Sequence, residues 1–193
     1  MVVHPLTRVP DNLADPLEIS WILAWGAHGI VHHPLHLFNG NIFFPDRYTL
    51  GFTENMLGLS VPLAPVFWLT HNAILQFHLV VILSCAVGGF GVYLLVRSIT
   101  SSTGAAVVAG TAFALLPYNS SQIGHPHVTV HLIPYLLLVL RRLERRPVPS
   151  TWLTLAFVFA LIWWSSLTEG FLAVVVVLVW AAFWHCPSTG DLA

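Results

Sequence analysis

Apolar residues run almost unbroken from Ala73 to Val96, AILQFHLVVILSCAVGGFGVYLLV. That is more than the roughly 20 residues needed to cross a bilayer core, so the pattern predicts a transmembrane helix. Ser84 with Gly88, and Cys85 with Gly89, set small residues four apart, the spacing that lets helices approach closely in lipid. After the polar link RSITSST, a second span is predicted over 104–118, ending at Pro117. The loop NSSQIGHPHVT leads to a third span near 128–140, stopped by the run RRLERR. PVPS then leads to a fourth over 152–164, and after SSLTEG a fifth runs over 171–184. Several of these segments are short, so flanking Trp, Ser or Thr must complete the crossing.

Upstream the pattern changes. Residues 19–31 (ISWILAWGAHGIV) read as a helix with Trp21, Trp25, His28 and His32 on one side. It is too short to span and rich in Trp, which prefers the headgroup level, so an interfacial helix is expected. Pro34 ends it by removing a backbone donor and restricting the residue before it. FNGNIFFPDRYTLGF follows as a loop, its Asn, Gly, Pro and Asp being turn formers. NMLGLSVPLAPVFWLT, interrupted by Pro62 and Pro65, reads as a second helix lying in or dipping into the interface. The expected architecture is all-α, a polytopic transmembrane bundle with interfacial helices in an external loop. Its parts are a leading segment 1–14, the loop region 15–71, about five transmembrane helices over 72–186 and a tail 187–193.

Composition sharpens the class. Only 8% of residues are charged, against roughly 25% in soluble domains, and the mean hydropathy is +0.79. These charges are too few to cover a soluble surface, which points to an integral membrane protein. The net charge of −1, with no lysine, argues against nucleic acid, whose phosphates need neutralising in number. Cys85 and Cys186 suggest no disulfide framework. Residues 1–14 hold no apolar core of seven or more, so no signal peptide is expected in them. Arginine placement orients the chain. With 72–97 running inward, Arg97, Arg141, Arg142, Arg145 and Arg146 are cytoplasmic, while Arg8 and Arg47 are outside. Residues 1–71, the loop 118–127 and the loop 165–170 then converge on the non-cytoplasmic face. Each carries histidines or acids.

The stretches DPLEISWILAWGAHGIVHHPLHLFNGNIFFP, TENMLGLSVPLAPVFWLT, GGFGVYLLVRSIT and AAVVAGTAFALLPYNSSQIGHPHV together resemble the N-terminal half of bacterial membrane glycosyltransferases of the C-type fold. The similarity runs from Asp15 to about Ala182. It implies transfer of a sugar from a polyprenyl-phosphate donor to an acceptor on the non-cytoplasmic face of the bacterial inner (plasma) membrane. It also implies a catalytic Asp in the first external loop, here Asp15. The family's first span and later spans have no counterpart here, so the chain is expected to be part of a longer protein. Sugar transfer breaks the anomeric C–O bond through an oxocarbenium-like transition state. A base must take the acceptor hydroxyl's proton as it attacks. The leaving phosphate needs cations or donors, for which His28, Arg47 and His125 are the candidates on that face. A divalent ion held by Glu54 and a histidine is the other way to meet that need. A non-catalytic scaffold or partner subunit retaining the fold is the competing function.

Each residue also has a plainer reading. Asp15 could simply cap the first helix. Interfacial histidines such as those of HHPLH usually face water or headgroups rather than zinc. His78 and His131 would pair with a backbone carbonyl or an amide side chain across helices. Glu169 would sit at the water boundary, or belong to the external site. RRLERR would set topology rather than bind lipid.

Overall fold

The computed structural model describes residues 4–9, 14–126 and 130–184. His127, Cys186 and the tail, all part of the sequence expectations, lie outside these residues. Among those described the chain is all-helical, with no strand.

Helix α1 (Asp15–His32) begins earlier than the apolar pattern suggests. Pro16 is tolerated in a first turn, and Asp15 and Glu18 there complement the positive end of the helix dipole. Its buried face is a stripe of Pro16, Ile19, Ser20, Leu23, Gly26 and Ala27. Short 3₁₀ turns at Pro34–His36 and Thr49–Phe52 shape the loop that follows. That loop folds back on α1 through Trp21 Nε1 to Asn41 Oδ1 (2.8 Å) and Trp25 Nε1 to the Leu37 carbonyl (2.7 Å). Helix α2 (Leu57–Thr70) continues through Pro62 and Pro65. It crosses α1 closely enough that a Cβ on Gly26 would lie 2.2 Å from Ser60 Oγ.

Helix α3 (Ala73–Thr100) is the long element, started by Asn72, whose side chain accepts from the Leu75 amide at 2.9 Å. Helix α4 (Thr103–Ala114) returns along it. Gly89 and Gly110 meet there, each lacking the Cβ that would strike the other's carbonyl oxygen at 2.8 and 2.6 Å. The span expected over 104–118 is not one helix. Leu116 is extended (φ −54°, ψ 136°) because the proline after it disfavours the helical region, and Pro117 opens a separate short helix, α5 (Pro117–Ser121).

Helix α6 (Ile133–Arg145) likewise departs from expectation. It starts later than 128 and carries the arginine run inside it rather than stopping there. Arginine is a good helix former, and cations suit a helix C-terminus. Helices α7 (Pro149–Ser165) and α8 (Leu167–Trp184) are joined by Ser166 alone. The long elements alternate in direction. Gly88 lies against His131, Gly91 against Tyr135, and Arg141 Nη2 donates to the Ser98 carbonyl, so α6 runs with α3. Trp180 Nε1 donates to Glu144 Oε1 at 2.7 Å, which sets α8 alongside α6 with α7 returning between them.

Two apolar cores hold this arrangement. One joins α1, α2 and the first third of α3 around Ile22, Leu23, Met56 and Phe77. The other joins α6, α7 and α8 around Leu136, Leu140, Ile162 and Ala173. Among the described residues one helix, α3, is long and apolar enough to cross a membrane; α2, α7 and α8 are apolar but shorter.

Candidate functional site

Asp15 sits in the first turn of α1, preceded by Ala14 at the cap position, so it does not cap the helix. Its carboxylate turns instead toward His125, 110 residues away, whose Nε2–H donates to Asp15 Oδ2 at 2.6 Å. The turn after α5 carries His125 there. Asn119 Nδ2 donates to the Phe113 carbonyl at 2.8 Å, tying α5 to the end of α4. Ile123 packs against the first core, and a Cβ on Gly124 would already touch Pro16 at 3.3 Å. The pair is thus fixed from below yet open above, its side chains 33% (His125) and 51% (Asp15) exposed. A carboxylate held by an imidazole N–H and still reachable from outside is equipped to accept a proton from an incoming hydroxyl.

Glu54 lies at the same end of the molecule but serves another purpose. It accepts from the Leu167 amide (2.5 Å), the Thr168 amide (3.2 Å) and the Thr168 hydroxyl (3.0 Å). Ser166 Oγ takes the Glu169 amide at 3.1 Å and the Ser166 carbonyl takes that of Gly170. The first four amides of α8 are therefore all satisfied. Both Glu54 oxygens are thus engaged by the start of α8. Thr53, beside it, donates to Glu18 Oε1 at 2.7 Å, which links this capping segment to the turn that carries Asp15. The N-terminal region, the loop containing His125 and the α7–α8 turn do meet at one end. Of the proposed site residues only Asp15 and His125 touch.

His28 is elsewhere. Thirteen residues along α1 from Asp15, it lies about 20 Å away at 1.5 Å per residue. Its ring stacks on His32 at 4.1 Å and approaches Trp25 and His33 at 5.8 Å. Burial, with His32 and His33 beside it, holds its imidazole below the usual histidine range. Arg47 is exposed in the loop and makes no hydrogen bond or ion pair among the described residues. No group of three or more His, Cys, Asp or Glu side chains gathers to hold a metal ion among them either.

Glu169, expected at a water boundary, is buried instead. Its Oε1 accepts from the His131 amide at 3.1 Å and lies 3.0 Å from His131 Nδ1, with both side chains almost wholly enclosed. The pattern Ser166–Leu167–Thr168–Glu169 is a capping-box sequence that could have marked the start of α8. Nothing local could have paired Glu169 with a residue 38 positions away. His78 behaves as expected, its Nε2 meeting the Arg8 carbonyl at 2.8 Å. Ser84, His131 and Ser165 line an otherwise apolar cavity of about 190 Å³ between α2, α3 and α7. The chain matches no family model, no curated protein and no solved structure.

Proposed function

We propose that the chain is a multi-pass bacterial inner-membrane glycosyltransferase or part of one, moving a sugar from a polyprenyl-phosphate carrier to an acceptor on the non-cytoplasmic side. The observation that carries this reading is the exposed Asp15–His125 pair. In the reaction, Asp15 takes the proton of the acceptor hydroxyl as that oxygen bonds to the anomeric carbon. The anomeric C–O bond to phosphate breaks, and its electron pair leaves with the polyprenyl phosphate. His125 orients the carboxylate and, by donating Nε2–H, keeps the tautomer fixed. Membrane insertion is supported by α3, whose most apolar window is only 33% buried. A soluble core helix would be enclosed. It is supported also by large exposed side chains on the shorter helices, among them Val108, Leu153, Phe157 and Phe183.

The test of catalysis is turnover of a panel of labelled polyprenyl-phosphate sugars in membranes carrying the chain. Asp15→Asn should lower transfer by roughly 10²–10⁴, with His125→Gln falling between it and the parent. Undiminished turnover by Asp15→Asn would remove the base. The second reading, a non-catalytic scaffold, draws on Glu54 and Glu169, two acids of this end that serve structure. It predicts no turnover by the parent and a partner that copurifies from detergent. Orientation has its own test. Single cysteines at Ser121 and Ser150, in a Cys85→Ala, Cys186→Ala background, should label with an impermeant thiol reagent on intact cells at 121 and not at 150. The reverse pattern would overturn the sidedness and the external site with it.

A further inference from the structure

At the end of α3 far from Asp15, the fold gathers cations. Leu94 and Arg97 on α3 face Leu138, Arg141, Arg142 and Arg145 on α6 across a cleft of about 350 Å³. The two sets follow helical spacing, i and i+3 on α3 and i, i+3, i+4, i+7 on α6, so each is one face of its helix. Among the described residues no carboxylate lines the cleft. Glu144, the nearest acid in the sequence, is engaged by Trp180 on another side of α6. Arg141 is pinned by its bond to the Ser98 carbonyl at 3.1 Å, and its buried Nε–H is left without an acceptor. Arg97 reaches the Ser101 carbonyl and is otherwise exposed.

Four guanidiniums held on facing surfaces repel one another unless an anion joins them. Guanidinium forks suit the oxygens of a phosphodiester. Leu94 and Leu138, about one turn nearer the middle of the bundle, offer apolar wall where acyl chains would begin. We infer that this cleft is a binding site for the phosphate headgroup of an anionic phospholipid, seated between α3 and α6. The leucines favour a lipid over free phosphate. The site is separate from Asp15: the 20 residues of α3 from Phe77, which packs in the core with α1, to Arg97 measure about 30 Å. It does not depend on the glycosyltransferase reading.

The experiment is native mass spectrometry of the full chain in mild detergent, titrated with dioleoyl phosphatidylglycerol or, as the neutral control, dioleoyl phosphatidylcholine. The parent should hold the anionic lipid roughly tenfold better, a difference of about 1.4 kcal/mol. Arg97→Gln with Arg142→Gln should abolish that preference, and inorganic phosphate at millimolar concentration should not displace the lipid. Arg97→Lys with Arg142→Lys keeps the positive charge that sets orientation but loses the forks. It serves should the glutamine pair fail to insert, and its preference should fall severalfold. Equal binding of the two lipids, displacement by inorganic phosphate, or parental preference in either variant that folds would overturn the site.

Discussion

Replacing Glu54 by alanine removes the acceptor for the Leu167 and Thr168 amides, leaving the start of α8 without its outside cap. The loss should be about 1–2 kcal/mol, as for other N-terminal caps near a helix dipole. It should appear as a lower midpoint in thermal unfolding in detergent, with added divalent ions giving no recovery. Recovery by a metal ion would reinstate Glu54 as a ligand. A pH effect belongs to His28. Its imidazole is held below the usual range, chiefly by burial and then by His32 and His33, so the folded chain binds fewer protons than the unfolded one. The stability at this position is intact above the ordinary histidine value of about 6.5 and is lost as the pH falls through it toward the lowered folded value. Acidification should therefore loosen the Trp25–His28–His32 stack and change Trp25 fluorescence, and His28→Gln should lack that component. An identical acid response in His28→Gln would assign the change to another group.

Between elements, two contacts carry testable consequences. The α3–α4 pair rests on Gly89 and Gly110, where each backbone carbonyl occupies the place of the other's missing side chain. Gly110→Val should push the helices apart and cost about 1–3 kcal/mol as an overpacked contact. A disulfide or double-cysteine distance measurement across α3 and α4 should register the separation. The buried Glu169–His131 contact ties the start of α8 to the start of α6. Glu169→Ala leaves the buried His131 amide without its acceptor, which costs about 1–3 kcal/mol. The variant should lose resistance to proteolysis at the α7–α8 turn. Wild-type resistance would mean that the contact contributes nothing.

For the molecule as a whole, the alternating directions of α3, α4, α6, α7 and α8 place chemistry and charge at opposite ends. Asp15, Glu54, His125 and the α7–α8 turn lie at one end, and the arginines of α3 and α6 at the other. The positive charges are far apart in sequence, and α3 and α6 must run side by side for them to meet. That side-by-side packing turns a topology signal into a cleft.

Apolar periodicity and turn chemistry determined the all-helical class, the long helix near 73–96 and most helix positions, because hydrophobic runs and proline effects act locally. Proline's effect on its neighbour was legible in kind but misplaced. It broke the chain at Leu116, before Pro117, while α2 kept its helix through Pro62 and Pro65 on packing against α1 and α3. The charged ends of helices were harder to read, since RRLERR has the look of a terminator and the propensity of a helix. Asp15 could be singled out from residue type and resemblance, but its partnership with His125 depends on α5 and its turn lying over α1. Glu54 and Glu169 were visible as acids in an apolar chain. Their roles were decided only by tertiary structure, because the amides they satisfy belong to segments 38 to more than 100 residues away, and a buried polar group takes whichever partner the packing brings.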